Sequence, residues 1–266
     1  MDISAKYRLL TENIAQKGSM FIAFSGGVDS SLLAVLATEV LKENCRCILL
    51  DSPVMPRAAI EEAKRIAILY SLALEIIPVP VMDDMRFIKN PVNRCYFCKK
   101  NSAKILKQRA EELGFASVAD GINVSDKGEH RPGLLAGNEE GIIHPFIETG
   151  MTKADIREIA HMRSFSFWDK PSEACLSSRI PYGDEITPEK LAMIEAAEDF
   201  LHTSGFRQVR VRTYGTIARI EVIKEEMQTL LSIQEDVVRG LKAIGFSYIT
   251  VDLEGYRSGS MDEILQ

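Results

Sequence analysis

Apolar residues along the chain alternate between short continuous runs and helically spaced stripes. Residues 18–24, G-S-M-F-I-A-F, make an apolar run of the kind found in a strand buried on both faces. Beyond the turn S-G-G-V-D-S, the stretch S-S-L-L-A-V-L-A-T-E-V-L reads as an apolar helix. C-R-C-I-L-L-D-S at 45–52 predicts a second strand, followed by a helix over 57–71 and an extended segment over 73–80. A helix over 101–113, a strand over 117–120 and a short strand over 142–145 continue the series. G-M-T-K-A-D-I-R-E-I-A, from Gly150, predicts a helix capped by Thr152, with Asp155 three residues later as the capping-box acid. Strands and helices alternating at this spacing predict an α/β domain over residues 1–167 with an open parallel sheet. Such sheets bind ligands beyond the carboxyl ends of their strands.

The pattern changes at F-W-D-K-P-S-E-A-C-L-S-S-R-I-P-Y-G-D, where prolines, a glycine and serines predict a connector over 168–184. A helix from Thr187 to about Thr203 follows, then strands Q-V-R-V-R-T and A-R-I-E-V-I, a long helix from about Glu226 to Ile244 and a final strand S-Y-I-T-V-D-L. This order predicts a smaller α+β domain over 185–266, packed as a two-layer sandwich. No internal repeat or low-complexity segment interrupts it.

Composition narrows the function classes. Of 266 residues, 46% are hydrophobic and 26% charged, as in ordinary globular proteins. The first ten residues carry no signal-peptide pattern, and no apolar run approaches the roughly 20 residues that span a bilayer. The expectation is a soluble cytoplasmic protein without a membrane partner. A formal charge of −6 gives no support for a nucleic-acid backbone as partner. Five cysteines in this length are not a disulfide scaffold; core thiols, metal ligands or reactive thiols are the readings that remain.

F-S-G-G-V-D-S places Ser25, Gly26, Gly27, Asp29 and Ser30 between a predicted strand and helix. Glycines let the backbone approach closely, and their N–H groups with the helix N-terminus behind them form an anion cradle. Asp29 is suited to hold Mg²⁺ on phosphate oxygens. The G-K-[ST] ending of the usual NTPase loop is absent. A glycine turn without a ligand is the alternative. The stretch resembles the pyrophosphate loop of the PP-loop ATP-pyrophosphatase superfamily, which has the adenine-nucleotide alpha-hydrolase-like fold and cleaves ATP between its α and β phosphates. That resemblance implies Asp51 and Ser52 beside the adenosine and Lys153 facing the phosphates.

Cys95 and Cys98 form a C-x-x-C, half of a metal site, a redox pair or two buried thiols. Cys45 and Cys47 share one face of a predicted strand and read as core. Cys175 lies in the polar connector with Arg179 nearby, a setting able to favour a thiolate. Asp120, Asn123 and Asp126 in A-D-G-I-N-V-S-D suit Mg²⁺ or leaving groups, and equally suit a plain turn. Arg131 reads as a phosphate ligand or as an exposed loop charge. Arg210 and Arg212 share a strand face with Arg219 on the neighbouring strand, a cluster fit for phosphate and carboxylate unless Glu221 neutralises it.

Together F-S-G-G-V-D-S, N-R-C-Y-F-C-K, A-D-G-I-N-V-S-D, E-A-C-L-S-S-R-I-P-Y-G, V-R-V-R-T-Y-G-T-I-A-R-I-E-V and G-Y-R-S-G-S-M-D-E resemble the LarE family. These motifs span residues 21–263. The resemblance implies an ATP- and Mg²⁺-dependent sulfurtransferase that adenylates the carboxylates of pyridinium-3,5-biscarboxylic acid mononucleotide and thiolates them toward the nickel-pincer nucleotide cofactor. It implies that Arg210, Arg212 and Arg219 lie near the substrate phosphate, and that the protein is a homo-oligomer, a trimer-based hexamer. It offers two sulfur sources: Cys175 itself, left as dehydroalanine, or a [4Fe–4S] cluster on Cys95, Cys98 and Cys175 resupplied by a sulfide donor. Zinc on the same cysteines, with His144 or water as fourth ligand, is the alternative metal. A tRNA thiolase of the same superfamily and a non-catalytic nucleotide-binding regulatory protein are the competing functions.

Overall fold

The protein, seen in a computed structural model, is described over residues 2–128, 132–171, 174–257, 259–261 and 263. The chain divides into two compact units, Met1–Val81 with Asn93–Glu173, and Met82–Val92 with Ala174–Gln266. The residues 82–92 thus leave the first sequence-predicted domain, and the division falls inside the stretch expected to be a connector.

In the larger unit β1 (Met20–Ala23), β2 (Cys45–Asp51), β3 (Leu74–Pro78) and β4 (Val118–Ala119) form one sheet in the order β3-β2-β1-β4. All its pairings are parallel, with Ile22 beside Cys47 on one side and Ala119 on the other. This is the open parallel α/β sheet that the alternation predicts. Successive strands step outward from β1 through β2 to β3, whereas β4 joins the opposite side of β1. The topological switch point, where such sheets bind ligands, therefore lies at the carboxyl ends of β1 and β4.

Helices α1 (Ile3–Lys17), α2 (Val28–Leu41), α3 (Arg57–Leu69), α5 (Arg94–Glu112), α6 (Pro132–Glu139), α7 (Pro145–Glu148) and α8 (Lys153–Met162) complete this unit; α4 (Met85–Ile88) belongs to the smaller one. Helix α2 is apolar nearly all round because it packs on β1 and β2 and against α1 and α8. Cys45 and Cys47 are enclosed on β2 as core thiols. Helix α1 has no counterpart in the sequence reading. Its stripe of Ile3, Tyr7, Leu10 and Ile14 is helically spaced but narrow. The strand expected over 142–145 shrinks to a single bridge, Ala119 to Ile143, because Pro145 opens α7 and has no N–H to continue the ladder.

The smaller unit has a sheet of β5 (Val209–Tyr214), β6 (Ile217–Val222) and β7 (Tyr248–Val251) in that order, antiparallel then parallel. Helices α9 (Pro188–Thr203) and α11 (Gln234–Ile244) pack on it around Leu201, Val211, Ile220 and Leu241, as an α+β unit. The helix expected over 226–244 is two, α10 (Met227–Ser232) and α11, broken at Ile233 with no proline or glycine to mark the break.

Helix α8 begins in the predicted capping box: the Asp155 N–H donates to the Thr152 hydroxyl and the Thr152 N–H donates to the Asp155 carboxylate. Thr152→Ala removes one partner and is expected to cost about 1 kcal/mol in urea unfolding, with Thr152→Ser restoring most of it.

Candidate active site

The phosphate loop leaves β1 and turns into α2. Gly26 has φ +72°, and a Cβ there would lie 2.8 Å from the Ala63 Cβ of α3. Only glycine meets both conditions. The Ser25 N–H donates to Ser30 Oγ at 3.1 Å, and Ser30 Oγ donates to Gly27 O at 3.2 Å, so the serines brace the turn from within. Gly121, just after β4, closes the other side. A Cβ there would sit 2.8 Å from Ser30 N and 2.9 Å from the Asp29 carbonyl carbon.

Asp29 lies in the first turn of α2, where the helix dipole favours an anion. Burial pushes its carboxyl above the ordinary value, Lys153 pulls it part of the way back, and Asp126 adds repulsion. Oδ2 bonds Lys153 Nζ, while Oδ1 is buried with no hydrogen-bond partner. Hard divalent cations take carboxylate oxygens, and the unpartnered Asp29 Oδ1 fits that chemistry. Two further cations face the loop. Lys170 Nζ donates to Gly26 O at 3.2 Å, and Arg157 donates to Trp168 O and Lys170 O at 3.0 and 2.7 Å. Neither carries a motif that singles it out in the sequence.

At the end of β2 the Asp51 carboxylate is bound by Arg57 at 2.6 Å, and Arg57 also donates to Ser52 O and Met55 O. Ser52 Oγ is buried without a partner, a donor available to a ligand. Asp120, expected to hold Mg²⁺ or leaving groups, is otherwise engaged. Its Oδ1 accepts from the Ile122 N–H at 3.2 Å and lies 2.6 Å from His144 Nδ1, and Oδ2 accepts from Lys99 at 2.8 Å. The other nitrogen of His144 lies 3.0 Å from Asn138 Oδ1, so both ring nitrogens have partners within the larger unit. Asn123 and Asp126 close a local turn, the Asn123 N–H donating to Asp126 and Asn123 Oδ1 accepting from the Ser125 N–H. Asp126 nevertheless acts on Asp29 through charge. Arg131 lies outside the described residues.

Cys95 and Cys98 occupy the first turn of α5, exposed and half-buried. Spaced i and i+3, they share a helix face, and two thiols on one turn suit half of a thiolate centre. Among the described residues no group of three His, Cys, Asp or Glu is gathered for a metal.

Cys175 and the arginines belong to the smaller unit. Cys175 is half-buried at the head of a short turn, its Sγ 3.0 Å from Ser177 Oγ. Arg179, expected to bind substrate or stabilise a thiolate, is 2% exposed. It pairs bidentately with Glu198 at 2.9 and 2.8 Å and donates to Ala174 O and Cys175 O. The guanidinium shapes the turn and leaves the sulfur untouched. Glu198, absent from the sequence reading, also accepts from the Val211 N–H at 2.9 Å. Arg212 grips Glu221 at 2.5 and 2.8 Å and donates to Ser178 O; Arg219 reaches the same Glu221 at 2.8 Å. Glu221 is thus a scaffold for two arginines. Burial, then the charges of Arg179 and Arg212, pull the Arg210 guanidinium below its usual range.

Gly26→Ala is expected to weaken ATP binding at least tenfold by calorimetry and to cost about 1–3 kcal/mol of stability. Adding Ala63→Gly relieves the clash but not the backbone strain, so recovery is partial. Asp120 titrates apart from ordinary carboxyls: burial raises it, yet Lys99 and His144 more than offset that and hold it at about 2. A lowered carboxyl stabilises the fold above its unfolded value of 3.8, and the contribution is lost as pH falls from there toward about 2. Asp120→Asn removes this term, so its stability, measured by urea unfolding, is expected to change less than that of the native chain over that window.

Residues 3–111 match the family model described as NAD synthase. An uncharacterized protein of Synechocystis is 38% identical, covering 99% of both chains. An uncharacterized protein of Methanocaldococcus jannaschii is 34% identical over 94% of this chain and 96% of its own. The pyridinium-3,5-bisthiocarboxylic acid mononucleotide synthase of Lactiplantibacillus plantarum is 33% identical over 92% of this chain and 89% of its own. With the parallel sheet, the glycine loop at its switch point and this match along nearly the whole length, the chain belongs to the LarE family of PP-loop proteins.

Proposed function

We propose that this protein is an ATP-dependent sulfurtransferase acting on pyridinium-3,5-biscarboxylic acid mononucleotide, in the synthesis of a nickel-pincer nucleotide. The observation that carries the adenylating half is Asp29, whose buried Oδ1 waits unpartnered at the head of α2 behind a glycine loop. Mg²⁺ bound there would neutralise polyphosphate charge. The loop amides, Ser25, Ser30 and Lys153 hold the phosphates, and Ser52 faces the nucleoside. A substrate carboxylate oxygen attacks the α-phosphorus. The bond to the β-phosphate bridge breaks, and pyrophosphate leaves with the electron pair. The acyl adenylate so formed has a good leaving group.

Sulfur then attacks the acyl carbon and AMP departs. In the single-use form the nucleophile is the Cys175 thiolate. Loss of the Cys175 α-proton and cleavage of its Cβ–S bond leave the sulfur on the substrate and dehydroalanine in the chain. A [4Fe–4S] centre on Cys95, Cys98 and Cys175 would instead supply inorganic sulfide; that reading rests on the cysteine pattern and the family resemblance. Four guanidinium groups, Arg179, Arg210, Arg212 and Arg219, gather in the smaller unit with Glu198, Glu221 and Asp252 among them, and planar guanidinium forks support a phosphate-bearing substrate.

Anaerobic reconstitution of the native chain and Cys175→Ala, with iron and acid-labile sulfide measured, separates the sulfur sources. About four irons per native chain and none in the variant support the cluster. Without iron, ATP and substrate are expected to convert Cys175 to dehydroalanine, read by mass spectrometry. Absence of AMP and pyrophosphate release with either preparation overturns the adenylating reading.

A further inference from the structure

The turn that carries Cys95 and Cys98 is held on several sides by its own neighbours in sequence. Tyr96 donates to Glu139 at 2.6 Å and Lys100 to the same oxygen at 2.7 Å, fastening α5 to α6. Lys99, adjacent to Cys98 and one helical turn beyond Cys95, faces inward and meets Asp120 Oδ2 at 2.8 Å. Asp120 is 4% exposed and His144, on its other oxygen, 7%. Neither reaches outward to a substrate, so the network is unlike a catalytic acid–base pair. The residue after Asp120 is Gly121, with no room for a side chain between its own backbone and that of Asp29 and Ser30. A continuous set of close contacts therefore runs from the phosphate loop through Gly121 and Asp120 to Lys99 and the cysteine turn, all within the larger unit.

We propose that Lys99 is a positioning residue that, through Asp120 and Gly121, ties the C-x-x-C turn to the phosphate loop, so that nucleotide in the loop governs the reactivity of Cys95 and Cys98. The inference rests on the loop binding ATP and is independent of whether iron, zinc or neither is held by the cysteines. A lysine here supplies reach as well as charge. Its four-carbon stem passes under α6, where Gly133 and Gly137 leave space along it.

The test uses the full chain without iron. Native protein, Lys99→Met and Lys99→Arg are alkylated with iodoacetamide with and without Mg-ATP, and the rates at Cys95 and Cys98 are read by mass spectrometry, with ATP affinity measured by calorimetry. In the native chain Mg-ATP is expected to slow alkylation by about fivefold or more. In Lys99→Met that response is expected to vanish while ATP affinity stays within about threefold; Lys99→Arg keeps part of the response. A full response in Lys99→Met, or none in the native chain despite ATP binding, overturns the inference and leaves the nucleotide reading standing. No ATP binding by the native chain overturns both. Should Lys99→Met fail to fold, Lys99→Gln, which is uncharged and polar, carries the same comparison. If neither folds, the ion pair is structural and the inference falls.

Discussion

A carboxylate withdrawn from water at the head of a helix needs a cation beside it, and the larger unit is organised around meeting that need at Asp29. Lys153 supplies the charge from the first turn of α8, a place where a lysine opposes the helix dipole. The capping box at Thr152 and Asp155 offsets that cost, and Asp155 is in turn held by Lys6 of α1 at 2.5 Å. One turn along α8, Arg157 fixes the backbone at Trp168 and Lys170, and Lys170 returns to the loop at Gly26. The loop is thus enclosed before any nucleotide arrives. On the proposed reading, a polyphosphate bound there would let Lys153 exchange one anion for another, with little rebuilding of the fold, which is the physical content of a preorganised site.

The smaller unit meets the reverse need, carboxylates for buried cations. Each buried glutamate is shared: Glu198 takes Arg179 and the Val211 amide, and Glu221 takes Arg212 and Arg219. Asp252, 3.6 Å from Arg219, adds a third carboxylate, and burial, ahead of the charges of Arg179 and Arg212, pulls the Arg210 guanidinium down. Breaking either glutamate's pairings would leave charges buried and uncompensated, a cost well above that of an exposed ion pair. Rigid arginine forks are well matched to a dianion and poorly matched to an apolar ligand.

The glycine loop, the parallel sheet and the capped α8 were legible in the sequence because each rests on local chemistry: glycine conformation, apolar runs, a four-residue capping pattern. What sequence missed depends on long-range pairing. Asp120 in A-D-G-I-N is indistinguishable from an open metal ligand until Lys99 and His144 are seen to occupy both its oxygens. Arg179 reads as a substrate ligand because its partner Glu198 is nineteen residues away on a different element. Gly121 resembles any turn glycine, and only the packed backbone of Asp29 and Ser30 shows why a side chain is excluded. Glu221 was visible as a possible neutraliser of the arginines, and the register pairing Arg210 with Glu221 and Arg212 with Arg219 across β5 and β6 places it among them.

In the proposed reaction, adenylation and sulfur delivery would place different demands on the chain, and the side chains fit that division. Charge stabilisation works best from groups that do not move, and the loop residues sit on a strand end and a helix head braced from within. A sulfur donor must be aimed yet remain able to form a new bond. At Cys175 the backbone carbonyl is bound by Arg179, while Sγ itself meets the Ser177 hydroxyl at 3.0 Å. The main chain is fixed and the sulfur is held by a contact weak enough to exchange. Cys45 and Cys47 show the opposite arrangement, enclosed by core on β2 with no approach for a substrate. The same element thus serves packing in one place and, on the proposed reading, chemistry in another, and what separates them is how the surrounding backbone and side chains share the work of holding it.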